Sequence, residues 1–124
     1  MEPVTNSRLS KSTNFVLGEK WGGLGSFQVY LKENGVRSTP SNSLTAIVMQ
    51  WRKSFEVNAP VEFQISNGSG ITIDSGSLWQ VTIPEQVLTP PAAGKYVWAI
   101  RFTWNATPHT LIYGETTVHN PFNV

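Results

Sequence analysis

The sequence predicts an all-β fold, an antiparallel β-sandwich of about seven or eight strands. Side chains suited to a pleated surface are abundant: the 124 residues include 12 Val, 7 Ile and 12 Thr, but 6 Ala, the best helix former. Ten Gly and eight Pro interrupt the chain at short intervals. Between these interruptions, apolar residues alternate with polar ones, which is the periodicity of strands and not of helices.

The predicted strands follow one another along a single domain, residues 13–120. A polar, extended arm precedes it at residues 1–12, and a short tail follows at residues 121–124. We expect the arm to order only on docking to a neighbour, because it has few apolar side chains to bury. The predicted strands span residues 14–17, 25–32, 44–52, 61–65, 71–74, 78–83, 95–104 and 109–118.

Two strands carry the clearest patterns. Residues 95–104 place bulky apolar side chains at every second position, from Tyr96 to Trp104, on one face. Residues 44–52 are apolar on both faces, which predicts a central strand. The long alternating segment therefore supplies most of one side of the core.

Glycine and proline mark the breaks between strands. Three glycines in residues 21–25 argue against regular structure there, and three prolines in residues 84–93 allow at most one helical turn. Gly114 interrupts the last strand, where it predicts a β-bulge.

The start of the strand at 95–104 narrows the fold to an immunoglobulin-like sandwich. Gly94 precedes Tyr96 by two residues at the corner where this strand begins. In immunoglobulin-like sandwiches, a tyrosine at this corner donates its hydroxyl to an upstream backbone group. We therefore predict a structural role for Tyr96.

Composition excludes several classes of function. The chain has no cysteine, which excludes disulfides and thiolate metal sites. Its net charge of +1 argues against a nucleic-acid partner that needs a broad basic face. No apolar run is long enough for a transmembrane helix, and the first residues lack the apolar stretch of a signal peptide, so no membrane partner is expected.

No pattern of catalytic or metal-binding residues emerges. His109 and His119 lie on one predicted strand, roughly 33 Å apart if it is straight, too far to share a metal ion or a substrate. The eight carboxylates are scattered singly, without the spacing of a calcium loop, and the chain has no Gly-x-Ser-x-Gly nucleophile motif. We predict no catalytic, cofactor-binding or metal-binding residues, and a protein that is not an enzyme. A glycosidase pair assembled by the fold is the alternative, and it has no sequence signature.

The five tryptophans are the remaining candidates for function. Trp51, Trp79 and Trp98 lie on strands with other apolar residues and are predicted to lie in the core. Trp21 and Trp104 lie beside loops and are the candidate interface residues, since exposed indole rings anchor protein contacts or stack on sugars. The alternative is that both pack at the rim of the core.

The order of the motifs resembles a known family. The chain contains FVLGEKW at 15–21, VYLKENGV at 29–36, AIVMQWR at 46–52, GITID at 70–74, WQVTIP at 79–84, AGKYVW at 93–98 and LIYGETTV at 111–118. This series resembles small immunoglobulin-like domains of tailed bacteriophages, similar to the N-terminal domain of baseplate upper proteins. The likeness covers roughly residues 13–120.

The resemblance implies a non-enzymatic virion structural protein without a cofactor, located in the virion and assembled in the host cytoplasm. It would be an adaptor or accessory subunit of the tail, baseplate or neck, binding other virion proteins in multiple copies. Related chains usually continue into a coiled coil or receptor-binding region, whereas this sequence stops at Val124, so we expect a stand-alone adaptor or a decorating subunit. The alternatives are a capsid decoration protein and a carbohydrate-binding module that contacts a host-surface glycan.

Overall fold

The computed structural model describes residues 2–5, 13–33, 36–38, 44–74, 80–104 and 106–122. Throughout these ranges the secondary structure is strand and turn, with no helix, which confirms the predicted all-β class. The strands are β1 (Glu2–Thr5), β2 (Phe15–Val16), β3 (Lys20–Trp21), β4 (Gly25–Glu33), β5 (Val36–Ser38), β6 (Leu44–Arg52), β7 (Phe63–Asn67), β8 (Gly70–Asp74), β9 (Gln80–Ile83), β10 (Gln86–Val87), β11 (Gly94–Trp104) and β12 (Thr107–His119).

The strands form one large curled sheet and one small sheet, an arrangement consistent with a β-sandwich. The large sheet has the order β1-β4-β9-β8-β7-β6-β11-β12-β2, and β5 pairs with β4. The small sheet pairs β10 with β3. The large sheet is mixed and not purely antiparallel as predicted, because β7 pairs with β8 in parallel and β12 pairs with β2 in parallel.

The core lies between the faces of this curled sheet. It combines side chains of β4, β8 and β9 with those of β6, β11 and β12. Facing residues of the β6–β11 ladder are buried together: Trp51 with Trp98, Met49 with Ile100, and Ile47 with Phe102. The alternation predicted for residues 95–104 is therefore present in the structure from Tyr96 to Phe102.

The N-terminal segment differs from the expected free arm. Glu2–Thr5 forms strand β1, which pairs antiparallel with β4 from Glu2 opposite Lys32 to Thr5 opposite Val29. Pairing needs no apolar side chains, since backbone N–H and C=O groups supply it, and composition alone therefore missed this strand. Residues 6–12 of the predicted arm lie outside the described residues.

The predicted tyrosine corner is present. The Tyr96 hydroxyl donates a hydrogen bond to the Ala92 carbonyl oxygen at 2.6 Å, and the ring is 1% exposed. Gly94 enters the strand with φ of 141°, a backbone conformation that side chains with a Cβ rarely adopt. Lys53 Nζ lies 3.8 Å from the centre of the Tyr96 ring and covers it from the solvent side.

The predicted bulge at Gly114 is wrong in position. The register shift of the β11–β12 ladder lies between Ile100 and Arg101, whose partners are Ile112 and Thr110, and this places the extra residue at Leu111. Gly114 is instead paired regularly, directly opposite Trp98.

Two short strands occupy segments that glycine and proline content had marked as irregular. Lys20–Trp21 begins the glycine-rich stretch, and Gln86–Val87 lies in the proline-rich stretch for which at most a helical turn was expected. Each is two residues long, too short for a periodic signal.

Candidate functional site

Trp21 is a core residue, so the prediction that it anchors an exposed interface is wrong. Its side chain is 0% exposed and packs edge-to-face on Trp51, with ring centroids 5.6 Å apart at 86°. Strand β3 turns the indole inward through its pairing with β10, which the glycine-rich sequence did not indicate. The buried Trp21 Nε1 has no hydrogen-bond partner within the described structure.

Of the other four tryptophans, two are buried in the core and two have side chains outside the described residues. Trp51 and Trp98 are buried as predicted, at 0% and 6% exposure. Trp104 ends β11 opposite Thr107 and Leu44, but its side chain lies outside the described residues, so its interface role stays a prediction. Trp79 also lies outside them.

Two buried threonine hydroxyls accept hydrogen bonds from the indole N–H groups of Trp98 and Trp51. Trp98 Nε1 donates to Thr13 Oγ1 at 3.3 Å, and Trp51 Nε1 donates to Thr116 Oγ1 at 3.2 Å. Thr13 in turn donates to the Glu115 carbonyl oxygen at 2.7 Å. These buried hydroxyls have structural partners and are therefore not candidates for chemistry.

The histidines occupy different parts of β12. His109 stacks on Phe102, with ring centroids 5.3 Å apart, near the start of the strand. His119 ends the strand opposite Val16. Among the described residues, no group of three or more His, Asp or Glu side chains could hold a metal ion.

An exposed aromatic pair is the most conspicuous surface feature. Phe55 and Tyr113 pack edge-to-face, with centroids 5.7 Å apart at 79°, although they are 57% and 68% exposed. Val57, 92% exposed, follows two residues after Phe55 in the loop between β6 and β7. Large apolar side chains held together yet open to solvent are typical of interaction sites.

Strand and loop together position this aromatic pair. Tyr113 is opposite Ala99 in the β11–β12 ladder, on the face that points away from the core. Phe55 comes from residues 53–62, the loop that folds back from the end of β6. The signal for the pair in the sequence is weak: Phe55 and Val57 are apolar residues in a segment without periodicity.

A groove of about 490 Å³ opens beside the aromatic pair on the same outer face, and we call it the outer groove. Its floor consists of Gln50 and Arg52 from β6 and Val97, Ala99 and Arg101 from β11. One wall is residues 54–57 of the loop, including Phe55, and Thr110 of β12 also lines it.

A chain of hydrogen bonds orders the β6 side of the outer groove. Arg52 donates from Nη1 to the Ala59 carbonyl oxygen at 3.0 Å and from Nη2 to Gln50 Oε1 at 2.9 Å. Gln50 Nε2 donates to Gln64 Oε1 at 3.1 Å on the adjacent strand β7. Arg52 therefore holds both the loop and the floor in place, and the amide groups have defined orientations.

Comparison of the chain with protein-family models, with curated proteins and with solved structures found no significant match. Within the described ranges, no helix has the length and hydropathy needed to cross a bilayer.

Proposed function

We propose that this protein is a non-catalytic structural subunit of a tailed-phage virion, an adaptor or accessory protein of the tail, baseplate or neck that docks on neighbouring virion proteins. The series of motifs that resembles phage immunoglobulin-like domains supports the phage context. The tyrosine corner at Tyr96 agrees with the immunoglobulin-like character of that resemblance.

The observation that carries the docking role is the exposed aromatic pair. Aromatic side chains at the centre of an interface contribute a large share of binding energy, because they bury much area at little cost in rotamer freedom. Phe55 and Tyr113 already fix each other's orientation by their edge-to-face contact, so ordering them on docking costs less entropy. Val57 extends the apolar surface next to them.

The proposal is tested on purified phage particles. Quantitative mass spectrometry of gradient-purified virions measures the copy number of the chain, and immunogold electron microscopy locates it. We expect several copies per particle, since virion accessory proteins follow the symmetry of the ring to which they attach. Label on the tail, neck or baseplate supports the proposal, label on the capsid indicates a decoration protein instead, and absence from the particle contradicts a virion role.

A further inference from the structure

We infer that the outer groove binds a saccharide that carries a carboxylate, such as a uronic acid residue. This goes beyond the docking role, because it assigns a small-ligand site to the polar floor next to the aromatic pair and names its chemical class. Phe55 belongs to both surfaces, so the saccharide binds chains whose aromatic pair is not covered by a neighbouring protein.

The floor of the outer groove has more free donors than free acceptors. Gln50 Oε1 already accepts from Arg52, and Gln64 Oε1 already accepts from Gln50. A guanidinium has five N–H donors, and Arg52 uses two nitrogens for Ala59 and Gln50, which leaves further N–H groups for a ligand. Arg101 adds a second, exposed guanidinium to the same floor. A ligand rich in acceptor oxygens matches this surface.

The charge of the groove favours one carboxylate on the sugar residue that it holds. Arg52 and Arg101 carry two positive charges, and Glu56 in the wall carries one negative charge. Guanidinium groups bind carboxylates through paired, charge-assisted hydrogen bonds, which are stronger than neutral ones. An excess of one positive charge suits a monoanionic sugar residue, whereas a polyanion such as a nucleic acid requires many more cations.

The strands of the floor argue against a peptide ligand. An extended peptide gains affinity by pairing with a free strand edge. Here β6 is paired with β7 and β11, and β11 is paired with β6 and β12, so the backbone beneath the groove already has partners on both sides. Recognition by side chains alone, in a groove of about 490 Å³, is typical of sites for small ligands.

The wall of the outer groove contains an aromatic ring on which a sugar can stack. Phe55 lines the groove and is 57% exposed, and Tyr113 supports it from the side. The C–H groups on one face of a pyranose ring pack on an aromatic ring, while the hydroxyl and carboxylate groups at its edge remain free for Arg52 and Arg101. Stacking and charge pairing thus act on different parts of one sugar residue.

The test is isothermal titration of the full chain with trigalacturonate, with its fully methyl-esterified form and with triglutamate. We expect saturable binding of trigalacturonate with a Kd on the order of 1 mM or tighter. Esterification removes the charge and little else, so we expect about tenfold weaker binding of the ester. Triglutamate supplies carboxylates without a sugar ring and should bind at least tenfold more weakly.

Matched variants assign the binding to the outer groove. Arg101→Gln removes an exposed charge and should weaken trigalacturonate binding about tenfold, because a charged hydrogen-bond partner is lost. Lys20→Gln removes another exposed cation, which is paired with Glu85 and lies outside the groove lining, and should leave the Kd unchanged. Absence of saturable binding, equal binding of the ester or of triglutamate, or an unchanged Kd in Arg101→Gln would each overturn the inference. The virion proposal would survive any of these results, since copy number and location in particles test it separately.

Discussion

Gly114 is directly opposite Trp98 in the β11–β12 ladder, and the indole ring of Trp98 occupies the space that a side chain at position 114 would need. A Cβ added at Gly114 would lie 2.7 Å from Trp98 Cζ2 and 3.0 Å from Cε2. The glycine therefore serves the packing of the core and not a bend of the strand. Trp98 in turn is held by its hydrogen bond to Thr13.

Replacing this glycine should destabilise the fold. Gly114→Ala forces the buried indole to move, and overpacking of this kind costs about 1–3 kcal/mol in the free energy of unfolding. Urea unfolding followed by tryptophan fluorescence measures the change. Gly22→Ala is the matched control, because a Cβ there meets nothing within 4 Å. Equal unfolding midpoints for wild type and Gly114→Ala would show that the core adjusts without cost.

The tyrosine corner should contribute to stability through one hydroxyl group. Tyr96→Phe removes the hydrogen bond to the Ala92 carbonyl and leaves the ring in place. We expect a loss of about 0.5–1.5 kcal/mol in unfolding free energy, the net value of a typical hydrogen bond. Tyr113→Phe, in a ring that is 68% exposed, should change stability by less than about 0.5 kcal/mol. A larger loss in Tyr113→Phe than in Tyr96→Phe would contradict this assignment.

Strand β1 should protect the backbone of β4. Deleting residues 1–5 removes the strand that pairs with Val29–Lys32, so amides in that part of β4 should exchange faster with deuterium. Amides of Gly25–Gln28 pair with β9 and serve as the internal control. The freed edge should also increase self-association, visible by sedimentation velocity. Unchanged exchange throughout β4 would mean that β1 does not pair in solution.

The sequence predicted the strands that have a two-residue period or a continuous apolar run, and the corner that has a local motif. Residues 95–104 and 44–52 are strands, and the Tyr96 hydrogen bond runs upstream as expected. It could not predict β1, because an edge strand is fixed by backbone pairing with a distant segment. It missed the burial of Trp21 for a related reason, since the two-residue strand β3 is held by β10, 65 residues further along the chain.

The sequence predicted little of the candidate site. Its members come from β6, β11, β12 and a loop without periodicity, and only the fold brings Phe55 next to Tyr113. In the structure Gln50 and Arg52 point away from the core, because Trp51 between them points into it, whereas residues 44–52 were predicted only as a central strand that is apolar on both faces. Their hydrogen bonding to each other depends on the loop carbonyl of Ala59, for which no sequence rule exists.

Attachment of the protein to particles should resist salt. The proposed contact is apolar, and its aromatic members carry no charge. Washing purified virions in about 1 M NaCl shortens the screening length to about 3 Å and weakens exposed ion pairs. Most of the chain should stay bound, as quantified by immunoblotting of pelleted particles. Complete release by salt alone would mean that exposed charges hold the protein in place.

If the aromatic pair docks this protein on virion neighbours, as proposed, a variant of the pair should compete poorly with wild type for incorporation into particles. Phe55→Ser and Val87→Ser each replace an apolar side chain that is 57% exposed, but Val87 lies in β10, outside the aromatic pair. Each variant is co-expressed with tagged wild type during infection, and the ratio of the two in purified particles is measured by mass spectrometry. We expect at least a tenfold depletion of Phe55→Ser, corresponding to about 1.4 kcal/mol of lost docking energy, and a ratio near one for Val87→Ser. Equal incorporation of Phe55→Ser and wild type would contradict the docking role.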